Sequence, residues 1–363
     1  MDYRIRKIIN MFRYKGLKCT YNYLWYQIFY AHQGFLANLL WIRCFPFFVH
    51  HPRLVEIEVT TRCPLQCPIC EHTYWDEKPR DMTFEEFKNI VDQFPKLKWI
   101  GLTGIGESFV NRDFLKMLRY VKSKKIYVEL YDPFILIDEK NGMELVELGV
   151  DKIFISIDAA AKETYEKIRV GANFDKVLDN IKRFLEIRRK KNTPYPELSY
   201  HYIINKLNIN EVLDFVDLVK SLTGTESSII FTRMLHCFPE AEVLFVDIPN
   251  SLREKVKAKA KETKIRIGWN ADTPTYKPPI SQCSFWIMPF IFVTGEVIPC
   301  CAGNEANRRD FQKKYALGNV FKTSFNEIWY SDRYKNFRKM IHQGKTPIQC
   351  RDCPVFDVSK SEL

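Results

Sequence analysis

The stretch that decides the fold is Leu54-Val-Glu-Ile-Glu-Val-Thr60, followed closely by the loop Cys63-Pro-Leu-Gln-Cys67-Pro-Ile-Cys70. Polar and apolar residues alternate along the first segment, which predicts a β-strand. The loop then gathers three thiols around one small volume at the carboxyl end of that strand. Three thiolates are one fewer than the four that close a tetrahedral zinc or [4Fe–4S] site, so one position stays open for a substrate or cofactor. A structural zinc site completed by a distant fourth cysteine is the alternative interpretation.

The chain after this loop alternates between strand and helix patterns. Strands are predicted over residues 98–103, 126–131, 152–157, 198–204 and 228–233, and helices over residues 83–94, 111–124, 138–148, 161–191 and 210–222. With the first segment, six strands separated by helices predict a parallel, right-handed wound α/β sheet. Ligands of such sheets bind beyond the carboxyl ends of the strands, where the cysteine loop is expected.

The N-terminal segment, residues 1–53, differs in composition from the rest of the chain. It carries a net charge of +7, out of +11 for all 363 residues, and 14 of the 52 aromatic side chains. We expect a helical extension that either packs on the main domain or contacts a membrane peripherally through residues 1–50. The segment lacks the pattern of a cleaved secretory signal, so we predict a cytoplasmic location, with or without membrane association. No nucleic-acid partner is expected, because the remainder of the chain is close to neutral.

The chain contains eleven cysteines, and their odd number and tight clustering indicate metal or cluster ligands rather than a secreted disulfide framework. A hairpin turn at Thr294-Gly295 is predicted to join segments 290–293 and 296–299. Four thiolates would form a closed site near this hairpin, and from the residues alone zinc and [4Fe–4S] are equally suitable. The cysteines of this second group are Cys283, Cys300, Cys350 and Cys353.

Further motifs follow two of the other predicted strands. Thr103-Gly104-Ile105-Gly106-Glu107-Ser108 comes after the second strand, and Ile155-Ser156-Ile157-Asp158, followed by Tyr165-Glu-Lys-Ile168-Arg169, closes the fourth. Together with the C-x3-C-x2-C loop, these motifs resemble the radical S-adenosylmethionine (SAM) superfamily, over residues 54 to about 355. The resemblance implies an α/β fold built on a partial (β/α)6 TIM-like barrel.

The resemblance also implies which residues hold the cofactors. Cys63, Cys67 and Cys70 would bind a [4Fe–4S] cluster whose open iron coordinates SAM. Glycines permit a close approach of the backbone, and the Glu107 carboxylate pairs with the SAM ammonium group. The residues implied to contact SAM are Ile69, Gly104, Gly106, Glu107, Ser156 and Arg169. Asp132 and Asn205, beyond the third and fifth strands, are expected to face the same rim and to meet SAM or substrate there.

The C-terminal cysteines, with Leu317-Gly318-Asn319 and Glu327-Ile328-Trp329, resemble the SPASM/Twitch extension of the same superfamily. The extension is shortened here, which implies one auxiliary [4Fe–4S] cluster held by Cys283, Cys300, Cys350 and Cys353. A small β-hairpin-plus-helix iron–sulfur domain over residues 275–363 would then follow a radical SAM core over residues 54–270 and the helical extension over residues 1–53.

The activity implied by the resemblance is reductive cleavage of SAM at the first cluster, which yields a 5′-deoxyadenosyl radical that takes a hydrogen atom from the substrate. A fully ligated auxiliary cluster favours an oxidation, by dehydrogenation or cross-linking, with that cluster as electron relay. The alternatives are a peptide- or protein-modifying radical SAM maturase and, in a different class, a non-enzymatic protein that binds zinc and nucleic acid. Expected partners are a small-molecule, lipid-linked or peptide substrate and an electron donor such as flavodoxin or ferredoxin.

The catalytic residue is not identified by these motifs. His72, directly after the cysteine loop, and Cys301 are candidates that either line the substrate cavity or serve the structure. His236 is expected at the same rim. Cys19, Cys44 and Cys237 are expected to be buried thiols rather than ligands.

Overall fold

The computed structural model describes residues 3–29, 51–235, 238–272, 277–306 and 308–358 of the chain. Ten strands within these ranges form one sheet, in the order β10-β9-β8-β1-β2-β3-β4-β5-β6-β7. The strands are β1 Leu54–Ile57, β2 Trp99–Leu102, β3 Tyr127–Asp132, β4 Lys152–Ser156, β5 Glu197–Ile204, β6 Ser228–Arg233, β7 Arg266–Asn270, β8 Phe290–Ile291, β9 Glu296–Ile298 and β10 Gly318–Asn319.

Adjacent strands from β1 to β7 are all parallel, and the chain passes through a helix between them. The six strands predicted from the sequence are present, and the predicted α/β class is confirmed. β7 is a further parallel strand at the sheet edge, preceded by a helix over Asn250–Thr263. Sequence reasoning missed both elements because the helix is rich in lysine and the strand has Gly268 at its centre, so neither shows a clear apolar period.

The helices in the described ranges are α1 Tyr3–Phe29, α2 Phe84–Asp92, α3 Phe114–Ser123, α4 Glu139–Leu148, α5 Lys162–Ile168, α6 Phe174–Lys190, α7 Val212–Thr223, α8 Asn250–Thr263, α9 Cys301–Ala306, α10 Arg309–Lys314, α11 Phe325–Tyr330 and α12 Asp332–His342. The prediction of one continuous helix over residues 161–191 is wrong. Gly171 takes a φ of +98° between α5 and α6, and the Asn173 side chain then caps α6 by accepting from the Lys176 N–H.

Alternate residues of the strands bury apolar side chains beneath the helices. On β5, Tyr200 and Tyr202 are fully buried, and the Tyr202 ring centroid lies 4.7 Å from that of Phe215 on α7. Ser199 and His201, which alternate with these tyrosines along the strand, project from the opposite face of the sheet. The core therefore lies between the sheet and its helices.

The C-terminal region extends the same sheet. β8 pairs in parallel with β1, and β9 and β10 follow in antiparallel pairing. The predicted hairpin at Thr294-Gly295 is confirmed: Gly295 has a φ of +89°, and an added Cβ would lie 2.5 Å from the Phe321 ring. Because the sheet runs unbroken from β1 to β10, the C-terminal cysteines are carried on an extension of the main sheet. The domain limits 54–270 and 275–363 stay predictions.

Helix α1 covers the amino ends of the strands, opposite to the cysteine loop. Lys7 forms a 2.7 Å ion pair with Glu197 at the start of β5, and the Tyr26 ring stacks on Trp99 at the start of β2. The helix is interrupted at Gly16, where φ is +76°. Residues 3–29 thus pack on the main domain, whereas residues 30–50 lie outside the described ranges. Across the described helices, none has both the length and the apolar content that a membrane span requires.

Candidate active site

The cysteine loop follows β1 and is held from the far side by the break between α5 and α6. The Gln66 N–H donates to the Val170 carbonyl at 2.9 Å. Gly171 lies so close that an added Cβ would be 3.2 Å from the Pro64 carbonyl oxygen. The helix break that the sequence did not predict therefore fixes the loop at the carboxyl end of β1.

Cys63, Cys67 and Cys70 are free thiols, with Cys67 buried and the other two half-buried. Burial raises the pKa of Cys63 to about 11 and that of Cys70 to about 12, and it also raises the pKa of Cys67. All three thiols lie within the electrostatic influence of Arg169, which favours their ionised forms. Buried thiols of this kind become ligands when a soft cation supplies the positive charge that keeps them ionised.

The segment from Thr103 to Glu107 packs directly on the backbone that leads from β1 to the cysteine loop. A Cβ on Gly106 would lie 2.4 Å from the Thr60 carbonyl oxygen, and one on Gly104 would collide with the Glu58 side chain. Glycine is required at both positions for close approach rather than for a positive φ. The Glu107 N–H donates to the Arg62 carbonyl at 2.8 Å, and this contact places Glu107 beside Cys63.

Glu107 shares a hydrogen bond with Asp132, at the end of the adjacent strand β3. Both side chains are almost fully buried. Burial, and then the neighbouring carboxyl, raises the pKa of Glu107, and burial raises the pKa of Asp132 to about 6. Asp132 Oδ1 accepts from the Phe134 N–H at 2.6 Å, whereas no N–H or hydroxyl of the described residues donates to Oδ2. A hydrogen bond between two carboxyls needs one proton, so the pair is suited to exchange that proton for a cation such as an ammonium group.

Arg169, directly after α5, forms a buried ion pair with Asp158, which follows β4. Arg169 Nε donates to Asp158 Oδ2 at 2.7 Å, and Asp158 Oδ1 accepts from the Ile203 N–H at 2.7 Å. The guanidinium also lies within hydrogen-bond reach of the Cys67 thiol. The motif that ends in Arg169 therefore connects β4, β5 and the cysteine loop, and it brings a guanidinium group, paired with Asp158, to the site.

The other predicted SAM contacts lie around the same rim. Ser156 is the half-buried last residue of β4, and Ile69 is buried in a small apolar cluster beneath the cysteine loop. The side chain of Asn205 is used within its own turn, where its oxygen accepts from the Leu207 N–H at 2.9 Å and its nitrogen donates to the Ile203 carbonyl at 3.1 Å. Asn205 thus shapes the rim after β5, and its contact with SAM stays a prediction.

Sequence reasoning missed a group of residues on the face of the sheet opposite to the helices. Tyr131 stacks on Phe154 with ring centroids 4.5 Å apart, and the His201 ring lies 6.2 Å from Tyr131. His201 Nε2 is 3.0 Å from the Thr232 hydroxyl, and burial lowers the His201 pKa to about 4, which keeps the ring neutral. The alternation of Glu197-Leu-Ser-Tyr-His-Tyr202 was the available signal, because its polar members mark the face turned away from the helices.

The four C-terminal cysteines are brought together by the structure. They line one small pocket whose other walls are largely apolar and include Ile280, Phe285 and Val355. Burial raises the pKa of each of Cys283, Cys300 and Cys350, that of Cys283 to about 12, and neighbouring thiols of the group raise them further. Cys301 packs instead on the cluster around Phe290 and Phe292. The cysteines that line the pocket are Cys283, Cys300, Cys350 and Cys353.

His72 connects the segment after the cysteine loop to the segment before it. Its Nε2 lies 3.0 Å from the Thr61 carbonyl, which can only accept, so this nitrogen carries the proton. Burial lowers the His72 pKa. Catalytic roles for His72 and Cys301 stay predictions. Cys19 is buried on α1, as expected, while Cys44, His236 and Cys237 lie outside the described residues.

Comparison with known families gives matches in both halves of the chain. The family model described as the radical SAM superfamily matches residues 57–219, which contain the cysteine loop, Glu107 and Arg169. The chain belongs to the radical SAM superfamily. The model described as an iron–sulfur cluster-binding domain, SPASM, matches residues 283–354, which contain all four C-terminal cysteines of the pocket.

Curated relatives and solved structures agree with this assignment. The tungsten-containing aldehyde ferredoxin oxidoreductase cofactor-modifying protein of Pyrococcus furiosus is 27% identical over 326 residues, which cover 84% of this chain and 88% of that protein. A PqqA peptide cyclase of Granulibacter bethesdensis is 24% identical over 320 residues, which cover 84% of this chain and 80% of the cyclase. The crystal structure of Streptococcus suis SuiB bound to S-adenosylmethionine has a TM-score of 0.66 at 14% identity and covers 90% of this chain and 80% of its own. The radical SAM enzyme described here therefore shares the partial TIM barrel.

Radical SAM and SPASM proteins bind [4Fe–4S] clusters and SAM, and these are the cofactors of this enzyme. The residues present fit them, because the two groups offer three and four free thiols, the soft donors that iron–sulfur clusters take. Among the described residues, no three His, Cys, Asp or Glu side chains are grouped to hold a single metal ion. A four-iron cluster binds each thiolate to a different iron, so its cysteines stand further apart than the ligands of one ion.

Proposed function

We propose that this radical SAM enzyme oxidises its substrate, and that its auxiliary [4Fe–4S] cluster relays the electron that the substrate loses. The observation that supports the proposal is the apolar pocket shared by Cys283, Cys300, Cys350 and Cys353. Four thiolates occupy every iron of one cluster, so no iron is left to bind a substrate. A closed site of this kind is suited to electron transfer.

The first cofactor site, in this proposal, consists of Cys63, Cys67 and Cys70 around the cluster and of the rim residues around SAM. When bound, the cluster and SAM supply a 5′-deoxyadenosyl radical that abstracts a hydrogen atom from the substrate. Glu107 and Asp132 would release their shared proton to solvent and hold the SAM ammonium group in its place, and Arg169 would attract the SAM carboxylate. The residues assigned to hold SAM are Ile69, Gly104, Gly106, Glu107, Asp132, Ser156 and Arg169.

The substrate is assigned to the face of the sheet that carries Tyr131, Phe154 and His201. This face is contiguous with the cofactor site, because His201 lies within the electrostatic influence of Asp158 and Arg169. The stacked rings exclude water from the substrate. The neutral imidazole, held by Thr232, orients a polar group of the substrate without adding a charge.

Two classes of substrate are named among the relatives of this enzyme. The Granulibacter relative is named for a peptide and the Pyrococcus relative for a cofactor. Both kinds of substrate are consistent with an oxidation that forms a cross-link or a double bond. Peptide modification is the second candidate function, supported by the likeness to the peptide cyclase. A small electron donor of the flavodoxin or ferredoxin kind reduces the enzyme in either case.

Anaerobic reconstitution followed by iron counting tests the proposal. The wild-type chain is expected to hold about eight irons, the sum of two four-iron clusters. Replacing Cys63, Cys67 and Cys70 by Ala should leave about four irons and abolish formation of 5′-deoxyadenosine. Replacing Cys283, Cys300, Cys350 and Cys353 by Ala should also leave about four irons, yet 5′-deoxyadenosine should still form without oxidised product.

Cys19→Ala is the matched control, since this thiol is buried on α1 at the opposite end of the sheet. It should keep both clusters and full turnover. Formation of 5′-deoxyadenosine by the variant of the first group would overturn the assignment of the SAM site. Full oxidation by the variant of the second group would overturn the role of the auxiliary cluster as electron relay.

A further inference from the structure

Helix α1 has one face bound to the enzyme and one face exposed. In its first half, Ile5, Ile9 and Phe12 follow the i, i+4, i+7 spacing of a single helix face and point away from the sheet. Phe12 is 58% exposed. Among the described residues, seven of the fifteen exposed large hydrophobic side chains lie on this helix. The exposed apolar groups of this protein are therefore concentrated at one end.

The second half of the helix repeats the pattern beyond the break at Gly16. Leu17, Tyr21 and Ile28 are exposed on one face, and Leu17 is 72% exposed. Both halves thus carry an apolar stripe on the outer surface of α1. We call these six residues, Ile5, Ile9, Phe12, Leu17, Tyr21 and Ile28, the outer stripe. A concentration of exposed apolar side chains on one element in this way indicates an interaction site, whereas isolated exposed apolar residues are ordinary.

The basic residues of α1 divide between the two faces. Lys7 and Lys15 are directed inward, where they pair with Glu197 and Asp151 at the amino ends of the strands. The basic residues exposed beside the outer stripe are Arg4, Arg6, Arg13 and Lys18. In residues 1–53, Asp2 is the single acid. The exposed side of the helix therefore combines apolar groups with positive charge.

The same end of the molecule carries further positive charge. A cavity of about 630 Å³ opens between α1 and the loops that precede β5 and β6. Its walls include Arg6, Arg188, Arg189 and Arg266. Glu197 and Glu226 also line it, so basic groups are in excess there. This end of the molecule therefore has an excess of basic groups beyond those on the exposed side of α1.

We propose that the outer stripe of α1 docks this enzyme on an anionic membrane surface. Apolar side chains on a basic helix enter the boundary between headgroups and acyl chains, and the flanking cations bind the anionic headgroups. The charge of residues 1–53 matches a negatively charged bilayer and not a neutral one. This inference concerns the location of the enzyme and goes beyond its proposed function.

Docking through α1 orients the enzyme relative to the bilayer. The helix covers the amino ends of the strands, whereas Cys67 and the rest of the cofactor site lie at their carboxyl ends. The carboxyl ends of the strands, and the cofactor site with them, therefore face away from the membrane, toward the aqueous phase. Attachment serves to hold the enzyme at the surface rather than to place lipid in its active site.

Co-sedimentation of the reconstituted, full-length enzyme with lipid vesicles tests the proposal. We expect binding to vesicles of phosphatidylcholine with phosphatidylglycerol, little binding to phosphatidylcholine alone, and release at high salt. Phe12→Asp and Leu17→Asp should each weaken the binding by about tenfold or more. Val243→Asp is the matched control, because Val243 is 71% exposed on a turn outside α1. It should bind like the wild type.

A second pair of variants keeps the test independent of folding defects. Arg13→Gln and Lys18→Gln remove exposed charges without adding an acid, and each should weaken vesicle binding by about fivefold. All four α1 variants should keep the wild-type rate of SAM cleavage, since none lies near the cofactor site.

Several results would overturn the proposal. Equal binding to neutral and anionic vesicles would exclude the electrostatic part. Undiminished binding by Phe12→Asp and Leu17→Asp would place the contact elsewhere, for example in residues 30–50. The wild-type enzyme could instead be a dimer that does not bind vesicles, with Leu17→Asp a monomer. That result would show that the outer stripe binds a second copy of the chain. If the enzyme bound nucleic acid and did not bind vesicles, the basic residues of α1 would serve to bind a polyanion and not a membrane.

Discussion

Arg309, the first residue of α10, forms a buried ion pair with Glu58, which lies just beyond β1. The Nη1 atom donates to Glu58 Oε2 at 3.0 Å, and Nη2 donates to Oε1. Glu58 also accepts the N–H groups of Ile105 and Val293, each at 3.2 Å. One carboxylate therefore joins the glycine loop that we propose binds SAM, the turn of the C-terminal hairpin and the SPASM domain.

The variant Arg309→Met is expected to destabilise the protein strongly. It leaves the Glu58 carboxylate buried without its cation, a change that costs about 3–5 kcal/mol in other proteins. The free energy of unfolding, measured with denaturant on the anaerobically reconstituted enzyme, checks this expectation. Because Glu58 also holds the Ile105 N–H, SAM affinity should fall in the same variant.

Arg119→Met is the control for this prediction. Arg119 forms an ion pair with Glu144 at 2.6 Å, but its side chain is 53% exposed. Exposed pairs contribute about 1 kcal/mol or less. If Arg309→Met and Arg119→Met lowered the free energy of unfolding equally, the buried ion pair would contribute no more to stability than an exposed one.

The carboxyl pair of Glu107 and Asp132 predicts a pH dependence of the SAM-free protein. Burial raises the Asp132 pKa from 3.8 to about 6, so the folded state holds more protons than the unfolded state between these values. Stability is then present at low pH and is lost as the pH rises through this window. Asp132→Asn removes the titrating group. The free energy of unfolding of Asp132→Asn minus that of the wild type should therefore increase as the pH rises from about 4 to about 7.

The measurement is a series of denaturant unfolding curves for both proteins across this pH range. Glu262→Gln, on the outer side of α8, is the control and should track the wild type at every pH. A difference between Asp132→Asn and wild type that stays constant with pH would contradict the shared proton.

The sequence predicted the parts of the site that are encoded locally. Cys63, Cys67 and Cys70 lie within one loop, and the strand before them places that loop at the sheet edge where ligands bind. The strand order of a parallel sheet also explains why Glu107 and Asp132 meet, since β2 and β3 are neighbours. Asp132 was accordingly expected at the rim, although its hydrogen bond with Glu107 was not.

Contacts between segments that are distant in the sequence could not be predicted from local sequence patterns. Arg309 and Glu58 are 251 residues apart, and neither lies in a motif that indicates a partner. His201 was missed for a different reason, because a single histidine in an alternating strand identifies a face but not what that face adjoins. The break at Gly171 was obscured by the strong helical pattern on both sides of it.

Gly106→Ala is predicted to disrupt the SAM site. The new Cβ would lie 2.4 Å from the Thr60 carbonyl oxygen, and backbone on both sides leaves no flexible group to yield. The loop that carries Glu107 must then move away from the cysteine loop. Equilibrium dialysis should show SAM binding weakened by about tenfold or more, in line with the precision that positioned binding groups require.

Gly268→Ala provides the control for this change. Gly268 lies in β7, and an added Cβ would meet its nearest neighbour at 3.6 Å, an ordinary contact. SAM binding should be unaffected. Wild-type affinity in Gly106→Ala would show that the two backbones do not need to approach so closely.

His201 is predicted to position the substrate without taking part in the cleavage of SAM. His201→Ala removes the ring that contacts Tyr131 and the Thr232 hydroxyl, so the substrate loses its orientation while the SAM residues stay in place. We expect 5′-deoxyadenosine to form at nearly the wild-type rate and oxidised product to fall by about tenfold or more, which uncouples the two.

His201→Gln retains a polar group that can bond to Thr232 and should restore part of the coupling. The ratio of product to 5′-deoxyadenosine, measured for a substrate identified by screening peptides and cofactor precursors, reports this effect directly. Equal ratios in wild type and His201→Ala would remove this face of the sheet from the substrate site.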